Sequence, residues 1–204
     1  MYPAILIMFL FNLILVPSTP LQFYLSDHLR APDATFANFT AINLGCFVPT
    51  ILLYGFLCKR ASLKTLLKWA TVVALFQTFP LALASSPNLV LLAAVPMGLA
   101  SGLGQAAYID LAMRSCPAGL QGTLMTLVTG GWVLALRGGD VVGAWIYAST
   151  PEHGLLYGIL AGTAATALIF PIMRLIPAEV IATADGEVLV PKSSDPAIRA
   201  ATFA

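Results

Sequence analysis

Apolar residues occur along this chain in blocks of about 20, each closed by a short cluster of charges, prolines or serines. A helix needs about 20 mostly apolar residues to cross a bilayer. Six blocks meet that requirement, over residues 3–25, 36–57, 66–84, 89–113, 122–147 and 155–176. The breaks between them, at 27–33, 58–64, 85–88, 115–117 and 150–153, carry turn and charge signals. The pattern predicts an all-α integral membrane domain over residues 1–177, with six transmembrane helices. A polar, mobile tail over 178–204 follows, in which Asp185-Gly186 offers a hairpin turn. The first block has the length of a secretory signal, but no basic region precedes it and apolar residues resume at 20–24. It therefore reads as a first membrane helix.

Polar residues within the blocks recur in helical steps of three and four. The first block carries Asn12, Leu15, Thr19, Gln22 and Ser26, and the second Thr40, Asn43, Phe47, Thr50 and Tyr54. The fourth carries Gly98, Ser101, Gln105, Tyr108 and Ala112; the fifth carries Thr123, Thr126, Gly130, Val133, Arg137, Asp140 and Ala144. The third has Thr71, Gln77 and Thr78 without a sustained stripe, and the sixth has no amide or charge in its middle. Two lining helices and then a peripheral one, twice over, predict two three-helix repeats around a cavity, a build shared by many secondary transporters. Val16-Pro17 and Val95-Pro96 hold corresponding places in the first and fourth blocks. Small residues also let membrane helices approach closely, and Gly154, Gly158 and Gly162 in the sixth block read that way.

Charge orients the array. Of the ten Lys and Arg residues, all but Arg30 and the intramembrane Arg137 fall on one side when the breaks alternate across a bilayer. The positive-inside rule then places both termini in the cytoplasm, beneath an inner or plasma membrane. Composition agrees: 59% of the 204 residues are hydrophobic and 9% charged, against roughly 25% charged in soluble domains, and mean hydropathy is +0.89. A net charge of +1 with no basic run outside 59–68 excludes binding to a nucleic-acid backbone. Cys46, Cys58 and Cys116 fit neither a metal spacing nor a paired disulfide framework. His28 and His153 lie in breaks away from any carboxylate cluster, so no metal and no other cofactor is expected. The absence of a nucleophile with a base in reach argues against an enzyme.

The fifth block places Arg137 and Asp140 near mid-bilayer, where a charged side chain costs about 2.5–3.5 kcal/mol on insertion scales. Three residues apart, they share a helical face. One account is an internal salt bridge that offsets the cost of insertion. The other makes Arg137 the ligand of a small organic anion, its planar fork suited to a carboxylate, with Asp140 positioning it or exchanging a coupling proton. Gln105, Tyr108, Gln22 and Asn43 join them as candidate substrate ligands. Asp110 and Arg114, one turn apart at the cytoplasmic end of the fourth block, read as a structural or gating pair.

Gly55-Phe56-Leu57-Cys58-Lys59-Arg60-Ala61-Ser62-Leu63-Lys64 resembles the G-x-L-x-D-R-x-G-R-K signature of the major facilitator superfamily. Gly55, Leu57, Arg60 and Lys64 match; Lys59 stands for the acid, Ser62 for the second glycine and Leu63 for the first basic residue of the closing pair. Residues 107–123 resemble the folate-biopterin transporter branch, whose element reads roughly C-P-x-G-x-E-G-T. Cys116, Pro117, Gly119, Gly122 and Thr123 fit it, with Gln121 where an acid is common. The superfamily resemblance spans nearly all of residues 1–177 and corresponds to the second half of a twelve-helix fold. It implies secondary active transport by alternating access, a gating role for Gly55, Arg60 and Lys64, and, through the branch, a folate or pteridine as the anion. It also implies a matching six-helix half: a missing first half, a second copy or a separate chain. No basic linker precedes the first block, which favours a fragment. The alternative is a non-transporting membrane scaffold or assembly partner derived from a transporter half.

Overall fold

The computed structural model describes residues 2–13, 18–116, 120–150 and 153–176, and every regular element among them is helical. In chain order they are α1 (Tyr2–Asn12), α2 (Thr19–Phe23) running into a π-helical turn (Tyr24–His28), α3 (Ala34–Cys58) and α4 (Leu63–Phe76). There follow α5 (Phe79–Ala82), α6 (Pro87–Arg114), α7 (Gln121–Ser149), α8 (Gly154–Ala167) and α9 (Ile169–Met173). Four stretches, Ala34–Cys58, Leu63–Ala82, Pro87–Arg114 and Gly154–Met173, are long and apolar enough to cross a membrane. They coincide with the second, third, fourth and sixth predicted blocks. The longest helix, α7 at 29 residues, is not among them, because its glycines and threonines, Arg137 and Asp140 dilute its apolar content.

Local sequence explains most boundaries. Ser62 and Ser86 cap α4 and α6, accepting hydrogen bonds from the Thr65 and Leu89 N–H groups, each at 3.4 Å. Proline lacks the N–H that bonds the carbonyl four residues back. The third block accordingly breaks at 77–78, ahead of Pro80, and the sixth at Leu168, ahead of Pro171. The first predicted span is not one helix: α1 ends at Asn12, and α2 restarts at Thr19 with Pro20 in its first turn. No matching interruption occurs in the fourth block, where α6 runs unbroken through Pro96. Val16-Pro17, residues 117–119 of the branch element and the tail with its hairpin turn lie outside the described residues.

α6 is the spine, packed along α3 and α4. Two apolar cores form at its two ends. At the end bearing Lys59, Arg60 and Lys64, the core joins Ile7 and Phe11 of α1 with Leu67 of α4, Tyr108 and Leu111 of α6, and Ile169 of α9. At the opposite end it joins Leu21 and Leu25 with Phe39 of α3, Leu81 of α5, Val90 and Met97 of α6, and Ile159 of α8. Between the cores lies a layer of buried amides: Asn12, Gln77 and Gln105.

The α3–α6 contact depends on two glycines four residues apart. A Cβ on Gly98 would overlap the Asn43 carbonyl oxygen and lie 2.8 Å from the Cys46 Cβ; one on Gly102 would lie 3.0 Å from the Thr50 Cβ. This is the small-xxx-small device of membrane helices, so Gly98, predicted on the lining stripe, serves packing. In the sixth block, Gly154 does pack closely, since a Cβ there would lie 2.6 Å from the Tyr147 Cα, whereas Gly162 has nothing within 4 Å. The outer surface of α3 is bare, with Leu44, Val48, Leu52 and Phe56 exposed.

Candidate substrate site

The polar layer borders a hollow of about 240 Å³. Its floor is built by the end of α1 (Phe11, Asn12), the break between α4 and α5 (Gln77, Thr78) and the middle of α6 (Met97, Ser101, Gln105). One wall is α3, with Phe39, Thr40, Asn43, Leu44 and Phe47; the other is α7, with Trp132 and Leu136. These walls rest on different neighbours: α3 lies chiefly on α6, while α7 lies on α1 and α8.

Most lining groups are held by bonds within the protein. The Asn12 amide donates to the Met8 carbonyl at 2.9 Å and the Asn43 amide to the Ala94 carbonyl at 3.4 Å. The Ser101 hydroxyl donates to Gln77 Oε1 at 3.1 Å, and Thr40 donates to the Phe36 carbonyl at 3.0 Å. Gln105 differs: it is 5% exposed, yet its Nε2 has no hydrogen-bond partner among the described residues. An unmade bond on a buried donor costs about 1–3 kcal/mol. Among the described residues, no ionised side chain lines the hollow. The arrangement offers hydrogen bonds and aromatic walls to a solute.

The structure brings together only part of the predicted constellation. Gln105 and Asn43 line the hollow. Tyr108 is fully buried in the core beside it, its ring 4.7 Å from that of Phe11. The Thr71 hydroxyl donates to the Leu67 carbonyl at 2.8 Å, leaving Tyr108 to donate to Thr71 at 2.7 Å. Gln22 is exposed. Arg137 is exposed on α7, one residue from the lining Leu136. Asp140 turns towards α2, accepting from the Ser18 hydroxyl at 2.5 Å and from the Thr19 N–H and hydroxyl, each at 3.0 Å. Gln77, Thr78 and Trp132 were not foreseen as lining. The third block was expected at the periphery, but its break turns Gln77 and Thr78 inward. An amide next to a mid-span interruption was the available signal.

Among the predicted gating residues, Gly55, Arg60 and Lys64 are exposed at the basic end. Asp110 and Arg114 form an ion pair at 2.9 Å, and the Tyr54 hydroxyl donates to the second Asp110 oxygen at 2.8 Å, clasping α3 to α6. Asp110→Ala removes both of these interactions. Thermal unfolding in detergent is expected to show a loss of about 2 kcal/mol for Asp110→Ala, as hydrogen bonds to charged groups contribute about 1.5–3 kcal/mol, and a smaller loss for the same substitution once Tyr54 is phenylalanine. Fully additive losses for Asp110→Ala and Tyr54→Phe would show that the Tyr54 bond contributes nothing.

No family model matches the chain, and no curated protein matches it.

Proposed function

We propose that this chain is a six-span half of a secondary carrier of the major facilitator kind, moving a small organic anion by alternating access. The observation that carries the reading is the hollow: amides and hydroxyls buried halfway along apolar helices, between two cores and between two walls that leave one side uncovered. Carrier sites lie near the bilayer midplane and are formed where helices are broken; here the breaks after Asn12 and at 77–78 both border the hollow. The uncovered side continues along α7 as Thr126, Thr129, Gly130, Val133 and Arg137, all exposed. In lipid that flank is costly, and a matching six-helix half would cover it and complete the cavity. Arg137 then stands at the rim, where its guanidinium meets the anionic group of the substrate, and the basic end faces the cytoplasm.

The test is uptake of a labelled organic anion, folate in the first instance, into liposomes holding the chain with and without a matching first half. Uptake is expected only with both halves, and Arg137→Ala is expected to reduce it at least tenfold while leaving thermal unfolding unchanged. A stable complex of the two halves that moves no substrate would establish the scaffold alternative instead.

A further inference from the structure

We propose that the inner end of the hollow is a binding site for the uncharged, planar, carbonyl-bearing part of a ligand, and that Gln105 Nε2 is the donor that recognises the carbonyl. The assignment rests on reading the hollow as the substrate site, though not on transport itself.

Three observations converge on it. The first is the unpartnered donor, on a side chain more than nine-tenths buried and placed in the cavity wall. Its neighbours in the layer are already engaged: Gln77 Oε1 accepts from Ser101, while the Asn12 and Asn43 amides donate to backbone carbonyls. What Gln105 lacks is an acceptor; its Nε2 lies just behind the cavity surface, and a turn of the amide about its last side-chain bond presents it to a ligand seated in the hollow. The second is the shape of the remaining wall. Phe11, Phe39, Phe47 and Trp132 present aromatic surface around the cavity, and aromatic side chains favour offset or edge contacts with a flat ring. A volume of about 240 Å³ lies just below the range of about 300–1,000 Å³ for drug-sized ligands, which suits one substituted ring. The third is charge. With no ionised side chain among the described residues of the lining, a carboxylate placed there would be desolvated without a counter-ion. An anionic group belongs at the rim near Arg137, and the neutral ring belongs inside.

Benzamide and benzoate make the test, because they share size and planarity and differ in charge. The full chain in lipid nanodiscs, carrying Trp69→Phe and Trp145→Phe, leaves Trp132 as the sole tryptophan, so quenching reports the hollow. Saturable quenching by benzamide is expected, with benzoate at least tenfold weaker. Gln105→Leu should weaken benzamide at least tenfold and raise the unfolding temperature of the empty protein, because the stranded donor is gone. Gln105→Met serves where the leucine variant fails to fold. Absence of benzamide binding, benzoate binding as tightly as benzamide, or a leucine variant that binds undiminished would each overturn the assignment. Benzamide binding without liposome uptake by the paired halves would instead sink the carrier reading and leave this site standing.

Discussion

Gly98→Val is expected to force α3 away from α6 and to destabilise the protein by about 3 kcal/mol or more, at or beyond the upper end of the usual cost of overpacking. The cause is backbone proximity. A Cβ at this position already overlaps the Asn43 carbonyl oxygen and crowds Cys46, and neither can move without moving α3 itself. Two further methyl groups leave no rotamer that avoids the opposite helix. The control lies on the facing helix: Gly45 has nothing within 4 Å of where its Cβ would be. Gly45→Ala is therefore expected to be neutral or slightly stabilising, since alanine is favoured over glycine by about 1 kcal/mol inside a helix. Thermal unfolding in micelles compares the two. Because Asn43 and Phe47 sit on the turns of α3 that face Gly98 and Gly102, the same valine should also spoil the α3 wall of the hollow. If the valine and alanine variants unfolded together, the close α3–α6 contact would be refuted.

These two glycines also show what the sequence could and could not reveal. The apolar blocks located most helices to within a few residues, because block length and capping serines are local properties. Which side of a helix meets which neighbour is not local. Gly98, Ser101, Gln105 and Tyr108 form one stripe by spacing, and in the structure that stripe divides: Gly98 meets α3, Ser101 and Gln105 face the hollow, and Tyr108 enters a core. Small, polar and aromatic residues all suit a cavity wall and suit packing equally well, so periodicity alone does not separate them. The third block failed differently. Its two polar residues at 77–78 were too few to make a stripe, yet an interrupted helix needs only one turn to bring them inward. Arg137 and Asp140, three residues apart, point by spacing to each other, yet Arg137 is exposed and Asp140 turns to α2. The acid found its partners 121 and 122 residues away, across a contact that no spacing rule anticipates.

That contact carries the other large effect. Asp140→Ala should destabilise the protein by roughly 3 kcal/mol, since hydrogen bonds to ionised acceptors contribute about 1.5–3 kcal/mol each and their losses overlap. Three donors converge on this one carboxylate, from the Ser18 hydroxyl and from the N–H and hydroxyl of Thr19. Two of the residues' groups sit at the start of α2, where a negative charge also complements the helix dipole. Asp140 thus caps, from a distant helix, the point at which the interrupted first span resumes, and the Ser18 side chain makes no cap of its own. Asp140→Asn keeps one acceptor oxygen and should recover part of the loss. A double-mutant cycle tests the coupling. Once Asp140 is alanine, adding Ser18→Ala should cost less than about 0.5 kcal/mol, because residues that share an interaction are not additive. Fully additive losses would mean that Ser18 and Asp140 act independently, and the second piece of the first span would then owe its position to the apolar packing of Leu21 and Leu25 alone. If the coupling is as large as the geometry implies, the carboxylate is the joint between α7, which walls the hollow, and the span whose first piece ends in its floor. Movement of one then entails movement of the other.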